Sequence, residues 1–450
     1  MISVLLAALV SFDSWSFTSA PLSPDESTGV VAEGGALQTR LPSRRACCYW
    51  DRNFKVESGR GVKVSAVAEI EPLDGADGFR PWNDVMMFVT FYDAKKGYTD
   101  RVSFFKASYA RYTDESAGVR TVRRFEDVFD VPVGCDAVKI EFVSKWHAMK
   151  VAFSEVRVQP VDAPRPRKVR CVVGNPFEKR PEELGLDGWS DPKAVMKARI
   201  GQIESCLKRI FAEVEKPDMV LFSEMFVSTG CPDPKVLAEK IPGGPSFELA
   251  SRYAKAHRCY IAMNPKEVTD EGTYHNCLFL VDRDGKLVGK QHKTTLTSGE
   301  FKDGILPDDD YRVFECDFGR VGSLICWENW FSETAKYLKR RGAELLLFPL
   351  AGCAADHVDI VFPARAIDTG IPFMVAMRQR HLPNGIIDRD GSWIAKTMED
   401  GGYAWADIDL NERKRTFWLS VGPGGGDPNE LYFDESRPEI YSKQPYGPRK

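Results

Sequence analysis

The sequence has little of what metal centres, disulfide scaffolds and membrane anchors need. It contains six histidines in 450 residues, none of them paired at zinc-ligand spacing, and no two cysteines are separated by two residues. The eleven cysteines are an odd number, so at least one thiol is unpaired. The apolar run at residues 4–10 is far too short to span a bilayer. We therefore expect no metal site, no cofactor and no membrane partner.

The charge of the chain also excludes a class of partners. The formal net charge is −4, without a basic excess, which argues against nucleic acid as a partner. The hydrophobic fraction of 43% and the charged fraction of 28% are ordinary for globular domains. A length of 450 residues is comfortable for two such domains.

The amino terminus has the pattern of a targeting segment. An apolar stretch at residues 2–10 precedes the small residues Thr18, Ser19 and Ala20, so residues 1–22 are predicted to be a signal peptide. Residues 23–45, in which Ser, Pro and Gly are frequent, are predicted to be disordered. This interpretation predicts a secreted or periplasmic protein; a misassigned start or a disordered tail is the alternative.

The rest of the chain divides into two parts with different hydrophobic periods. Residues 46–161 alternate apolar and polar side chains between short turns, which predicts an all-β sandwich. Two prolines in residues 162–168 indicate a linker. Residues 169–415 alternate strands with amphipathic helices, typical of an α/β layered domain. Residues 416–450 are assigned to its carboxyl-terminal tail.

Three chemically reactive side chains follow predicted strands of the α/β domain. Glu224, Lys293 and Cys326 each stand at the end of an apolar run, so they are expected to meet at the carboxyl edge of one sheet. Taken singly, each has a simpler explanation, because strand-end charges are usually solvated and cysteine is often a core residue. The pattern alone leaves both interpretations open.

The motifs around these residues resemble the carbon–nitrogen hydrolase (nitrilase) superfamily. The segments LFSEMF, KQHKTTL and VGSLICWENW are similar to its three sequence blocks, in the same order. Residues 362–368, 391–395 and 436–441 resemble further family segments, so the similarity covers roughly residues 167–442. The resemblance implies a four-layer α-β-β-α sandwich, a homo-oligomer (a dimer or larger) and a Glu–Lys–Cys triad of Glu224, Lys293 and Cys326.

Each member of the implied triad suits one step of acyl transfer. Cys326, at a helix amino terminus and near Lys293, is expected to be a nucleophile with a lowered pKa. Glu224 is the expected general base, and Lys293 with the Trp327 N–H the expected oxyanion site. Glu300 matches the second glutamate of the family, and Asp303 is the alternative.

The same motifs limit the chemical class of the substrate but do not identify the compound. Cys326-Trp327-Glu328-Asn329 resembles the nitrilases, whereas Gln291-His292-Lys293 resembles the amidase and carbamoylase branches. We predict hydrolysis of an amide or N-carbamoyl compound through a thioester, with a nitrile as the alternative. Predicted substrate contacts are Trp327, Glu328 and His357.

The amino-terminal domain resembles jelly-roll-like, carbohydrate-binding modules of secreted hydrolases. Aromatic side chains are expected either to fill its core or to stack against a sugar; they are Trp50, Trp82, Tyr92, Tyr109 and Tyr112. Two other functions compatible with the sequence are a non-catalytic carbohydrate-binding protein and an acyltransferase that passes the acyl group to an amine.

Overall fold

The structure is a computed structural model that describes residues 14–74, 84–96, 104–233 and 235–412, with the side chains of residues 104–109 excepted. The described chain divides into two compact units, one ending at Arg165 and the other covering Pro166–Glu412. Residues 162–167, within the predicted linker, contain no helix or strand. Trp82, the side chain of Tyr109 and the tail at 416–450 lie outside the described residues.

The first unit consists of antiparallel strands. They are β1 (Ser16–Ser19), β2 (Thr28–Val31), β3 (Leu37–Leu41), β4 (Cys47–Lys55), β5 (Gly61–Pro72), β6 (Val85–Tyr92), β7 (Phe104–Tyr109), β8 (Tyr112–Ala117), β9 (Arg120–Asp130), β10 (Ala137–Lys145) and β11 (Met149–Val161). They form a five-stranded sheet in the order β1-β4-β10-β6-β7 and a six-stranded sheet in the order β2-β3-β11-β5-β9-β8. One apolar core receives side chains from both sheets, which confirms the all-β prediction.

The amino-terminal segment differs from the prediction of disorder over residues 23–45. β2 and β3 lie in that segment, and Leu37 and Leu41 are fully buried. Strand β1 pairs with β4, and Phe17 packs against Trp50 at a ring-centroid distance of 5.0 Å. Such short strands carry too few alternating positions for a sequence pattern to identify them. The predicted signal peptide at residues 1–22 includes β1, whereas residues 1–13 lie outside the described part, so the signal peptide remains a prediction.

The second unit alternates strands and helices. Its strands are β12 (Lys168–Asn175), β13 (Met219–Glu224), β14 (Tyr260–Asn264), β15 (Lys266–Val268), β16 (Tyr274–Val281), β17 (Leu287–His292), β18 (Val313–Cys316), β19 (Gly319–Ser323), β20 (Leu345–Leu350), β21 (Phe373–Met377), β22 (Asn384–Ile387), β23 (Trp393–Thr397) and β24 (Gly402–Asp409). Its α-helices are α1 (Pro192–Glu213), α2 (Pro245–His257), α3 (Ser298–Lys302), α4 (Ser332–Arg340) and α5 (Ala355–Thr369). Short 3-10 helices cover Pro181–Leu184 and Cys326–Trp330.

These elements form two sheets in the second unit. One has the order β15-β16-β14-β13-β12-β24, with β17 paired to β16, and the other the order β18-β19-β20-β21-β22-β23. The central strands β12, β13 and β14 run parallel, as do β19, β20 and β21. Parallel strands place their carboxyl ends at one edge, where ligand sites of α/β proteins usually form.

Three apolar cores define the layers of this unit. One core lies between the sheets and includes Leu221 and Leu347. A second packs α1 and α2 against the first sheet, and a third packs α4 and α5 against the other. Burying an aliphatic side chain contributes about 1.5–3 kcal/mol, so each layer is held mainly by its apolar face. The observed order of layers is helix, sheet, sheet, helix, and the α/β prediction is confirmed.

Helix α1 begins where the sequence provides a cap. Asp191 precedes α1, and its side chain accepts a hydrogen bond from the Ala194 N–H at 3.1 Å. Pro192 at the first helical position costs no backbone hydrogen bond. None of the helices in the described ranges is both long and apolar enough to cross a membrane.

Candidate active site

The three reactive residues come together from two sheets, not from one. Glu224 is the last residue of β13, and Lys293 directly follows β17, in the seven-stranded sheet. Cys326 lies three residues after β19, in the facing sheet. The prediction of a single sheet edge was therefore wrong, because hydrophobic periodicity identifies strands but not the sheet that each strand joins. The position at or just past the end of a strand was correct for all three.

Lys293 is the centre of a buried charged cluster. Its ammonium Nζ lies 3.0 Å from Glu224 Oε1 and 3.0 Å from Glu300 Oε2. The side chains of Lys293 and Glu224 are 1% and 2% exposed. Burial by itself would lower the pKa of Lys293, but Glu224, Cys326 and Glu300 raise that pKa above its usual range. Lys293 is thus a permanent cation shared by two carboxylates.

Asn276 is a member of this cluster that the sequence analysis missed. It is fully buried in β16, and its Nδ2 donates to Glu224 Oε1 at 2.8 Å and to Glu300 Oε1 at 2.7 Å. Asn264 in turn donates to Asn276 Oδ1 at 2.8 Å. A polar amide at the start of the apolar segment NCLFLV is the signal that could have identified it. Asn276 keeps the two carboxylates at a set separation.

Glu300 is held in position by the start of helix α3. Its Oε2 accepts hydrogen bonds from the Thr297 N–H at 2.8 Å and the Thr297 hydroxyl at 2.9 Å, forming a capping box. Burial would raise the pKa of Glu300, but Lys293 and the hydrogen bonds from Asn276 and Thr297 hold it below its ordinary value. Asp303 is exposed at the end of the same helix. The structure therefore brings Glu300 to Lys293 and leaves Asp303 at the surface.

Cys326 sits at a sharp turn between strand and helix. Its φ angle is +49°, a left-handed conformation that costs a non-glycine residue on the order of 1 kcal/mol or more and recurs at functional sites. The thiol contacts the Glu224 carboxylate and the backbone of Ala351. Burial, and then the negative charge of Glu224, raise the pKa of Cys326 to about 12.

This raised pKa corrects the expectation of an activated thiol. The predicted helix behind the sulfur is a single 3-10 turn, Cys326–Trp330, and α4 begins only at Ser332. A turn of this length has too few aligned peptide dipoles to stabilise a thiolate strongly. The Lys293 charge lowers the pKa but is outweighed by burial and Glu224. Cys326 is therefore a neutral thiol at rest and needs a base.

Glu328 faces the protein interior and not a substrate. Its side chain is fully buried. Its carboxylate accepts from the Thr294 N–H at 2.7 Å, the Ile325 N–H at 2.7 Å and the Tyr311 hydroxyl at 3.1 Å. The predicted substrate contact is therefore not made by this carboxylate. Glu328 instead ties the segment after Lys293 to the segment before Cys326.

A second internal contact supports the cysteine turn. Arg365, within the family-like segment 362–368, donates from Nε to the Asn329 carbonyl at 2.9 Å. Asp368 accepts from Arg365 Nη1 at 2.8 Å and orients the guanidinium. Asn329 is 2% exposed. The segment thus acts on the site by holding the turn that carries Cys326.

The remaining predicted contacts form an aromatic group beside the cysteine. Trp327 is 40% exposed, and its ring lies 6.2 Å from that of Trp330 and 5.9 Å from that of Phe331. His357 packs edge-on against Trp330 at 4.4 Å. His357 is in the first turn of α5, not in the loop that the sequence suggested.

A cavity of about 470 Å³ opens just past the end of β20. Its wall includes Ala351, whose backbone touches the Cys326 sulfur, together with Gly352, Arg378 and Gln379. This volume falls within the range of about 300–1,000 Å³ typical of small-molecule sites. The cavity is therefore large enough for a small molecule, and Ala351 is the wall residue that connects it to Cys326.

A second buried polar cluster lies on the other face of the β16–β17 hairpin. Glu267, Cys277 and His292 have atoms of metal-ligand type within 4.8 Å of one another. Glu267 Oε1, however, already lies 2.5 Å from the Lys290 ammonium, and Oε2 lies 2.6 Å from His292 Nε2. A lysine cation bound to the same carboxylate opposes a metal ion there. We assign this cluster to the stability of the hairpin.

Comparisons with known proteins agree with the family resemblance. The family model described as carbon-nitrogen hydrolase matches residues 192–416, half of the chain. A probable nitrilase of Schizosaccharomyces pombe is 28% identical over 193 residues, which cover 41% of this chain and 69% of that protein. An omega-amidase of Xenopus laevis is 29% identical over 192 residues, covering 38% of this chain and 69% of that protein.

The solved structures include an amidase from Nesterenkonia sp., with 16% identity and a TM-score of 0.49. That match covers 62% of this chain and 97% of the amidase. Membership in the family rests on the family model, which matches the region holding the Glu224, Lys293 and Cys326 cluster. The chain therefore belongs to the carbon–nitrogen hydrolase family, and the protein is a carbon–nitrogen hydrolase enzyme.

Proposed function

We propose that the protein hydrolyses an amide or N-carbamoyl compound with Cys326 as nucleophile, Glu224 as general base and acid, and Lys293 as oxyanion partner. The observation that carries this proposal is the Cys326 thiol in contact with a carboxylate that is itself bonded to a buried lysine. Base, cation and nucleophile within hydrogen-bond reach are the parts that covalent acyl transfer requires.

The first step forms a thioester and releases the nitrogen. Because the pKa of the Cys326 thiol is about 12, it must lose its proton to Glu224 as the sulfur attacks the carbonyl carbon. Glu224 then gives that proton to the departing nitrogen, the C–N bond breaks, and ammonia or an amine leaves. The acyl or carbamoyl group stays on the sulfur.

Fixed hydrogen-bond donors stabilise the negative charge that develops on the carbonyl oxygen. The Lys293 ammonium already stands beside Glu224, and the Trp327 N–H follows the nucleophile in the chain. Both donors are in place before the oxygen becomes negative, which is the condition under which such donors are most effective. Removal of one such donor typically lowers the rate about 10²–10³-fold.

The second step returns the enzyme to its starting state. Glu224 takes a proton from water, the hydroxide equivalent attacks the thioester carbon, and the C–S bond breaks to give the acid and the Cys326 thiol. Glu300 accepts hydrogen bonds from Lys293 and Asn276, which also bond to Glu224. Lys293 is therefore not paired with the base alone. The proposed role of Glu300 is to hold Lys293 in position through both steps.

The choice of amide over nitrile is supported by the buried positions of Glu328 and Asn329. These two residues carry much of the similarity to nitrilases, yet they are 0% and 2% exposed and make internal contacts. The identity of these two residues therefore affects the structure of the cysteine turn more than the choice of substrate. A nitrile would pass through a thioimidate at the same sulfur, and one of the similar proteins is named a probable nitrilase.

One experiment tests the nucleophile and the substrate class together. Wild type and Cys326→Ala are incubated with primary amides, N-carbamoyl amino acids and nitriles, and ammonia and acid are measured. Cys353→Ala is the matched control, because Cys353 is a half-buried thiol in the same domain. Turnover of amides or carbamoyl compounds that Cys326→Ala loses and Cys353→Ala keeps is the expected result. Full turnover by Cys326→Ala contradicts the nucleophile, and turnover of nitriles alone contradicts the substrate class.

Association and export are further parts of the proposal. Exposed apolar side chains on α4 and α5 support a homo-oligomer; they include Tyr337 (40% exposed), Ile360 (65%) and Ile367 (38%). Analytical ultracentrifugation of the purified protein tests this proposal, and a monomer at all concentrations contradicts it. Export to the periplasm or medium is tested by determining the amino terminus of the protein recovered from each fraction.

A further inference from the structure

The six-stranded sheet of the first unit carries a polar cleft on its outer face. The cleft has a volume of about 420 Å³ and crosses the strands. Strand pairing places Thr28, Arg40, Lys150 and Glu71 in one row, since each is directly opposite the next. All four are exposed, whereas the neighbouring Leu41, Met149 and Ile70 are buried in the core. The row therefore faces outward, as the alternation of a strand requires.

A gap in the adjacent row forms the floor of the cleft. Ala152 stands between Gln38 and Glu69 in the strand pairing. Its methyl group reaches much less far from the sheet than the side chains on either side. The cleft is thus a groove lined mainly by long polar side chains, with the exposed Val30 among them, above a small residue.

The charges in the cleft are not balanced within the described part of the protein. Arg40 and Lys150 are directly opposite each other on neighbouring strands, and the described residues offer neither of them a hydrogen bond or an ion pair. Like charges in such a pair destabilise a sheet. Arg120, at the end of the row, is paired with Glu69. Three cations face two carboxylates, and since Glu69 pairs with Arg120, Arg40 and Lys150 have only Glu71 near them, which leaves a surplus of one positive charge.

Two of the aromatic residues that the sequence suggested for sugar stacking, Trp50 and Tyr92, are buried in the core. Trp50 is 3% exposed and donates from Nε1 to the Thr39 hydroxyl at 2.8 Å. Tyr92 is fully buried, and its hydroxyl donates to Asn53 Oδ1 at 2.7 Å. None of the described residues that line the cleft is aromatic. A ligand of this sheet is therefore recognised by charge and hydrogen bonds.

The position of the cleft distinguishes between acidic ligands. Peptides that extend a sheet bind at its edge, where backbone groups are available. The cleft also reaches the edge strand β2, but its charged residues Arg40, Lys150, Glu69 and Glu71 lie on β3, β11 and β5, whose backbone groups are used by neighbouring strands. The groups that can contact a ligand there are therefore side chains. Arg, Lys, Glu, Gln and Thr together offer donors and acceptors, which suit a ligand with many hydroxyl groups.

We propose that this cleft binds an acidic oligosaccharide, with Arg40 and Lys150 on a sugar carboxylate and Gln38, Glu69 and Glu71 on hydroxyl groups. The ligand class is a polymer that carries uronic acids. Its carboxylates supply the negative partner charge that Arg40 and Lys150 lack, and its hydroxyl groups can donate hydrogen bonds to the neighbouring acceptors. This role is independent of the chemistry proposed for Cys326.

Titration calorimetry with the full-length protein tests the proposal. The probes are tetragalacturonate, a tetramannuronate, fully methyl-esterified tetragalacturonate and tetraglutamate. The double variant Arg40→Gln/Lys150→Gln is compared with Lys63→Gln/Arg124→Gln, which removes the same charge from ion pairs elsewhere on this sheet. Glu71→Gln removes a negative charge from the cleft, and thermal melting confirms that each variant is folded.

The expected result is binding of at least one acid sugar and loss of affinity by tenfold or more in the double variant. The control variant retains affinity within twofold, Glu71→Gln binds more tightly, and the methyl ester does not bind. The proposal is overturned if neither acid sugar binds, or if the double variant binds as well as wild type. Equal binding of tetraglutamate overturns it too, because the cleft would then recognise acidic peptides.

Discussion

The two faces of the β16–β17 hairpin each place a lysine beside a buried carboxylate, yet they are arranged for different tasks. On one face, Lys293 is shared by Glu224 and Glu300, and the Cys326 thiol lies next to Glu224. On the other face, Lys290 and His292 both bind Glu267. The first cluster has two carboxylates for one cation, and the second has two nitrogen partners for one carboxylate.

The acid–base properties follow from this difference. Burial would raise the pKa of Glu267, but His292 and Lys290 outweigh burial and lower it to about 2, so this carboxylate stays ionised. Cys326, beside the carboxylate-rich cluster, has its pKa raised to about 12. A fully satisfied ion pair stabilises a fold, whereas a cluster with an excess of carboxylate can accept a proton. Burial and charge alone therefore do not identify a catalytic site.

The largest expected effect comes from removing the nucleophile. Cys326→Ala should lower kcat/KM by about 10⁴-fold or more, because no covalent intermediate can form. Its unfolding midpoint should stay within a few degrees of wild type, since the side chain is small and only partly buried. Steady-state assays on the best substrate and thermal melting measure the two effects. Residual activity above 1% would contradict the assignment.

The next largest effect is expected from replacing Glu224, and Glu267 on the other face of the hairpin provides the comparison. Glu224→Gln should reduce turnover by about 10²–10⁴-fold, because the amide cannot take the thiol proton. The variant should still form an adduct slowly with iodoacetamide, on Cys326. Glu267→Gln is the matched carboxylate and should label at the wild-type rate. Mass spectrometry that locates the label on another cysteine would disprove the scheme.

Neighbouring residues of one strand provide the sharpest comparison. Asn276→Ala removes the amide that bonds both catalytic-face carboxylates and should lower kcat about 10–100-fold. His275, on the opposite face, stacks on His292 at 4.0 Å, and His275→Ala should change kcat less than threefold. Both should lose about 1–3 kcal/mol of stability through buried hydrogen bonds. Equal losses of kcat would mean that the faces are not functionally distinct.

The smallest effect is a pH dependence of stability on the second face. Because the pKa of Glu267 is about 2 in the folded protein and near 4.5 when unfolded, its ion pairs stabilise the fold above pH 4.5 by on the order of 3 kcal/mol. This stabilisation is lost as the pH falls from 4.5 towards 2. Glu267→Gln should therefore be less stable than wild type at pH 7, and the gap should narrow below pH 4.5. Urea unfolding at several pH values measures the gap, and a constant gap would contradict the argument.

Much of the fold could be predicted because its signals are local. The period of α1 and the alternation of β5 depend on neighbouring residues alone, and both elements were identified from them. Strands β2 and β3 were missed, since each has only four or five residues. Their stability comes from pairing with β11 and from the shared core, which are contacts between distant parts of the chain.

The candidate site divides in the same way. Glu224, Lys293 and Cys326 could be named from motifs and from their position at strand ends, and Glu300 from its motif alone. The roles of Asn276 and Glu328 could not, because both depend on which side chains lie opposite in space.

By itself, the sequence determined that two domains with different periods are present, that the second is an α/β domain, and which residues are the candidates for its chemistry. Only the tertiary structure decided that Cys326 approaches Glu224 from a second sheet and that its thiol is neutral at rest. It also showed that Glu328 braces the turn and that the sandwich presents an unbalanced charged cleft. The physical reason is that periods and caps act between near neighbours, whereas burial, pKa and charge balance depend on every group that folding brings close.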